Sequence, residues 1–210
     1  QQEPGRVNTV GNCLHPLGFG YVYGHGQDYE QLLAQPVVPF YASGAAVLVR
    51  CEMVQSLGEL FDASMFMYHE DVDLSWRARL AGWGIVTEMR SVALHRYEHT
   101  RSMRQFYWME RNRYLVVLSR YSLWTLVRLA PLALLLEVGS LIFSLRSRAL
   151  GKKLRAYGEL GRWSFWRCVL MKRRETRALR VVSDAAVMRF MRGVLAPAYG
   201  GHALLRYIVD

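Results

Sequence analysis

The stretch FMYHEDVDLSWR, residues 66–77, places His69, Glu70, Asp71 and Asp73 together directly behind an apolar run. Carboxylates at that density serve one of two ends. They sit in the first turn of a helix, where free N–H groups and the positive end of the dipole favour them, or they take a proton from a bound hydroxyl. Spacing supports the first: Asp73 and Arg77 stand four apart, the separation of a plain surface pair on a helix. The setting supports the second. FYASGAAVLVR (40–50) is an apolar, β-branched run that reads as a buried strand entered through the small-residue turn ASG at 42–44. In open α/β sheets, strand ends and helix N-termini line the ligand crevice.

The surrounding pattern predicts the elements that would position these groups. CEMVQSLGELFD has helical spacing and breaks at Gly58. EDVDLSWRARLAGWG predicts a helix that opens on the acids, carries Leu74, Ala78 and Ala81 on one face and stops at Gly82. GIVTEMRSVALH reads as one or two short strands ending at His95, and MRQFYWMERNRYLVVLSR as a longer helix from about Met103 to Arg120. Alternating strands and helices predict an α/β layer. Residues 1–40, rich in Gly, Pro and aromatics, read as loops with short strands.

Taken together, YASGAAVLVR, FDASMFMYHEDVDLSWRARLAGWGIVTEMRSVALHRYEHT and FYWMERNRYLVVLSRYS resemble the second half of a family 2 inverting glycosyltransferase. The likeness is to the rhamnosyltransferase-like branch that builds bacterial surface polysaccharides, and it covers about residues 5–125. It implies the C-terminal part of a GT-A (Rossmann-like) fold, a mostly parallel sheet between helices that binds a nucleotide-sugar and a divalent metal, Mg²⁺ or Mn²⁺. Within the Y-x-E-D-x-D-L-x-x-R box, Asp71 matches the catalytic base, with Glu70 and Asp73 in support. Ser43 and Gly44 match the place where the sheet passes beneath the sugar. His95 matches a metal-ligand histidine, and His69 a position outside the chemistry, expected to be partly exposed. Arg111 and Arg113 are the candidates to clamp the leaving diphosphate, since guanidinium matches phosphate geometry. Separated by one residue, they do not share a helical face; one, with a lean to Arg111, reaches the site, and the other is expected to be a solvated charge.

The chain departs from the family in one respect: upstream of Tyr41 the acids Glu3, Asp28 and Glu30 form no D-x-D, so the donor-binding half is absent from this chain. QFYWM at 105–109 does not complete a Q-x-x-R-W box, which argues for single-sugar addition rather than processive synthesis. His95 and His99 stand four apart, but HRYEHT follows a strand and lacks further ligands, so zinc is not expected.

Beyond residue 122 the character changes. LWTLVRLAPLALLLEVGSLIFSL (123–145) is strongly apolar, and residues 146–180 are basic and aromatic, so the expected division is a catalytic half-domain at 1–122 and a helical membrane-associated tail at 123–210. A bilayer span needs about 20 apolar residues, and Arg128 and Glu137 interrupt this one. The expectation is an amphipathic helix or hairpin in the headgroup region, with the following cations on anionic lipid; a helical subdomain burying its own apolar face is the alternative.

Totals bound the function. With 210 residues and 52% hydrophobic side chains the chain is long and apolar enough for a sizeable core. Lys and Arg number 27 against 17 acids, a net charge of +10 that suits an anionic partner. Cys13, Cys51 and Cys168 are too scattered for a disulfide framework or a metal knuckle, and the polar N-terminus shows no leader-like apolar core. Basic runs such as MKRRETRALR lack the companion motifs of nucleic-acid binders, so nucleic acid is not an expected partner. The expected activity is inverting sugar transfer from a nucleotide-sugar to a glycan or polyprenyl-linked acceptor at the cytoplasmic face of the inner membrane. The competing readings are a non-enzymatic membrane-associated scaffold, or one half of a split enzyme.

Overall fold

A computed structural model describes residues 7–33, 37–94, 103–146 and 149–192. Helices dominate it. Strands β1 (Asn12–Leu14) and β2 (Gly20–Val22) form an antiparallel pair, with an added bridge from Asn12 to Tyr41. The helices are α1 (Tyr29–Leu33), α2 (Cys51–Leu57), α3 (Glu70–Leu80), α4 (Met103–Arg120), α5 (Leu123–Arg146), α6 (Leu150–Leu160), α7 (Trp163–Leu179) and α8 (Asp184–Met188).

The helices expected after residue 50 form where the pattern places them. α2 ends at Gly58, whose φ of +82° and N–H bond to the Val54 carbonyl close the last turn. Gly82, with φ of +85°, follows the end of α3 in the same way. The mostly parallel sheet does not appear: among the described residues the only sheet is the β1–β2 pair. The run expected as a strand turns at residues 43–46, where the Ala46 N–H bonds the Ser43 carbonyl, and Leu48 beyond it is fully exposed. Residues 83–90 alternate between half-buried and exposed, the period of a strand, yet carry no ladder. Strand-like sequence becomes sheet only when a neighbour accepts from its N–H groups and donates to its C=O groups, and no described segment pairs with either run in a ladder.

The core crosses residue 122. Leu14, Phe40, Met65, Val72, Trp76, Leu80, Leu115 and Tyr121 pack in one cluster with Phe165, Val169, Val187 and Met191 of the basic tail. Trp76 stands at its centre, edge-on to Phe40 at 5.7 Å and to Tyr121 at 4.7 Å, a geometry that adds to the burial of the rings themselves. A satellite cluster joins Met53 and Leu57 of α2 to Leu74 and Ala78 of α3, the face the spacing assigns. Helices α6 and α7 pack directly on α4, so the tail belongs to the same packed body.

Asp73 is wholly buried, and this corrects the reading of Asp73–Arg77 as a surface pair. The Arg77 Nε donates to Asp73 Oδ2 at 2.8 Å and the Arg120 Nε to Oδ1 at 2.7 Å. Arg77 spends its remaining donors on the carbonyls of Glu59 and Leu60 at 2.9 and 2.8 Å, and Arg120 reaches Thr176 Oγ1 at 2.6 Å. One carboxylate thereby joins α3, α4 and α7. Removing its charge strands two buried guanidiniums, so Asp73→Asn should lower unfolding free energy by about 3–5 kcal/mol, read from urea denaturation; a loss below about 1 kcal/mol would show that the network is not what holds these helices.

Candidate functional site

The acid-bearing loop before α3 is held in an unfavourable backbone. Phe66, Tyr68 and His69 have φ of +60°, +62° and +67°, the left-handed region that bulky residues avoid. Such conformations persist where the surroundings over-determine them, and here Asn112 does so. From inside α4, fully buried, its Nδ2 lies 2.8 Å from the Met65 carbonyl, 2.9 Å from Met67 and 2.8 Å from Tyr68. Its Oδ1 accepts from Arg111 Nη1 at 2.7 Å. His69, expected to be partly exposed, is buried instead. Its Nε2 donates to the Gly18 carbonyl at 3.1 Å, and burial pushes its pKa down to about 4, so the ring is neutral and pins the loop to the N-terminal segment.

This strained entry delivers Asp71 to the first turn of α3. Its Oδ2 accepts the Gly44 N–H at 3.3 Å and its Oδ1 the Val72 N–H at 2.8 Å. The small-residue turn and the acid therefore meet, as the sequence expects. Burial, with the neighbouring Glu70 charge, raises the Asp71 carboxyl to about 6 against the pull of those N–H groups. The helix end does not keep this acid in the ordinary carboxylate range; desolvation wins. Glu70 lines an adjoining cleft of about 440 Å³ with Gly44, Phe61, Asp62, Ala63 and Phe66, and its buried Oε2 has no hydrogen-bond partner. Phe66 is 71% exposed at the rim and rests on Trp108 with ring centroids 5.2 Å apart.

The other expected site residues divide. Ser43 is half-buried beside the turn, its Oγ accepting the Ala45 N–H at 3.3 Å. A Cβ on Gly44 would approach only the Asp71 Cβ, at 3.9 Å, so nothing within the chain demands glycine there. Arg111 stays with the acid loop: its Nη1 donates to the Ser64 carbonyl at 2.9 Å and its guanidinium lies 5.7 Å from the Trp108 ring. Asp73 points into the core and cannot touch a substrate in the cleft. Arg113 is neither a phosphate clamp nor a solvated charge: it is buried between Glu110, at 3.0 Å, and Glu137 of α5. His95 lies outside the described residues, among which no three His, Cys, Asp or Glu side chains gather as a metal site.

Sequence reasoning missed Asn112. The signal is its type, since asparagine competes with helical backbone and is unfavourable mid-helix without a task. Comparison of the chain with family models, curated proteins and solved structures finds no match.

Two outcomes follow from this geometry. Asn112→Ala should cost about 1–3 kcal/mol by urea unfolding, and Asn112→Asp more, because it turns oxygens toward carbonyl oxygens. For Asp71, the folded pKa of about 6 exceeds the free value of about 3.9, so the folded state holds the extra proton between them and loses stability as pH rises through that window. Asp71→Asn should therefore raise Tm at pH 7.5 by about 2–4 °C, a gain that shrinks toward pH 4. An unchanged or lower Tm at pH 7.5 would contradict the desolvation account.

Proposed function

We propose that this chain is the acceptor-side half of an inverting, family 2-like glycosyltransferase of bacterial cell-surface polysaccharide synthesis, with Asp71 as its general base. The observation that carries the reading is Asp71 itself, a desolvated carboxylate anchored by the Gly44 N–H at the edge of the cleft, with its pKa raised to about 6. An enzyme base works best when its pKa lies near the operating pH, and the strained loop that presents Asp71 is the kind of stored strain found at functional sites.

In this reading the acceptor hydroxyl enters the cleft between Glu70 and the Phe61–Phe66 rim. Its oxygen attacks the anomeric carbon as its proton passes to Asp71. The C–O bond to the nucleoside diphosphate breaks on the opposite face and the leaving group departs with the electron pair, inverting the centre. Glu70, with a buried oxygen awaiting a donor, receives a second hydroxyl of the acceptor. Arg111, which meets no carboxylate among the described residues, is the arginine of the pair assigned to face a leaving group. The divalent ion that the resemblance implies has no assigned ligands among the described residues, and no step here runs through it.

The GT-A sheet belongs to the same proposal. Residues 47–50 and 83–94 are strand-like and unladdered, which suits strands supplied by a donor-binding half. α5 suits a membrane-facing position: it is long and apolar enough to span a bilayer, and Trp124, Leu134 and Leu135 are about 70% exposed. Glu137 turns inward to Arg113 and Lys153, which removes the charge that most opposed lipid contact and suits a helix lying in the interface.

With a donor-binding half present, Asp71→Asn should lower sugar transfer from nucleotide-sugar to a polyprenyl-linked acceptor by about 10²-fold or more while leaving donor binding intact. Wild-type turnover should fall as pH drops below about 6, when Asp71 takes its proton. Transfer by Asp71→Asn within a few-fold of wild type would remove Asp71 from the base role.

A further inference from the structure

Between α4 and α6 lies a second, smaller cavity of about 110 Å³ lined by Tyr107, Trp108, Lys152 and Arg155. Its two cations differ from those of the buried ion-pair clusters. Arg77 and Arg120 share Asp73, Arg113 and Lys153 share Glu110 and Glu137, Lys172 has Asp62, and Arg180 has Asp184. Among the described residues neither Lys152 nor Arg155 forms an ion pair. Three positions apart, they share one face of α6. Lys152 also stands in the first turn of a helix with no acidic residue there and no side-chain cap, so the positive end of the helix adds to its charge.

The floor of this cavity is aromatic. The Arg155 guanidinium lies 4.8 Å from the centre of the Tyr107 ring, a stacking that holds the fork in place and leaves its edge for an anion. Glu159, four residues beyond Arg155 on α6, is hydrogen-bonded by the Tyr107 hydroxyl and pairs with Arg162 at 2.8 Å. Trp108 is the wall common to two places: it lines this cavity, and its ring also rests against Phe66 on the rim of the Glu70 cleft. On its other side α6 packs against the apolar helix α5.

We propose that Tyr107, Trp108, Lys152 and Arg155 form a phosphate subsite that holds the phosphoryl group of the acceptor while its sugar hydroxyl faces Asp71. The order across the surface is acid cleft, aromatic wall, paired cations, apolar helix, and it matches an acceptor built as sugar, phosphate, lipid. The subsite rests on the transferase reading for the owner of the phosphate; the binding of phosphate does not require catalysis.

The test is indole ¹⁵N–¹H NMR of the full chain, with the Trp108 signal assigned through Trp108→Phe. Inorganic pyrophosphate should shift that signal saturably, and Lys152→Ala/Arg155→Ala should weaken binding about tenfold or more. Arg174→Ala, an exposed cation on α7, should leave it unchanged. Phosphatidylcholine vesicles doped with polyprenyl phosphate should then be bound in preference to vesicles doped equally with phosphatidylglycerol, and the preference should vanish in the double variant. A Trp108 signal indifferent to pyrophosphate, or a double variant that binds like wild type, overturns the subsite. Equal binding to both vesicles overturns the acceptor assignment in favour of general attraction to anionic lipid. Loss of transfer in Asp71→Asn bears on neither result, so the two proposals fail separately.

Discussion

The burial of Asp73 between two arginines is the constraint on which the rest depends. Taking three charges out of water costs several kcal/mol each unless they are paired and hydrogen-bonded. Here Asp73 receives Arg77 and Arg120 on separate oxygens, and the guanidiniums find backbone carbonyls at Glu59, Leu60 and Lys172 and the Thr176 hydroxyl. Because those partners come from a loop, from α4 and from α7, the rotation of α3 about its axis is fixed. Successive residues on a helix turn by about 100°, so with Asp73 facing the core, Asp71 two positions earlier faces nearly the opposite way, toward Gly44, which lines the cleft. The structural acid aims the one proposed as the base.

The same helix end shows a division of roles among neighbours. His69, neutral and buried on the Gly18 carbonyl, anchors the loop. Asn112 gathers three carbonyls that the left-handed turns leave pointing inward. Asp71, half-buried, is left with backbone N–H partners whose pull desolvation outweighs, and its pKa rises. Stability is given up at this one residue and recovered in the network behind it.

Charge is sorted by depth. The net +10 of the chain does not describe its interior, where each strongly buried Lys or Arg in the Asp73, Glu110 and Asp62 clusters meets a carboxylate. The excess lies on the surface of α6 and α7, beside the exposed apolar face of α5. A surface that pairs unneutralised cations with apolar side chains and tryptophans fits the boundary between lipid headgroups and acyl chains.

What the sequence by itself determined is local. The breaks at Gly58 and Gly82 and the extents of α2, α3 and α4 follow from periodicity, capping and backbone freedom, which act over a few residues. Tertiary structure decided which polar groups face inward. Asp73 and Arg113 carry the same signatures as Asp71 and Arg111, yet one of each pair is buried, because a helix's rotation is set by partners more than forty residues away in sequence, as Arg120 is from Asp73. Asn112 is invisible for the same reason: its three acceptors lie some 45 residues upstream. The parallel sheet shows the converse. Strand-like patterns at 47–50 and 83–90 are written in the chain, but a strand is completed only by a neighbour, and periodicity within one segment cannot supply it.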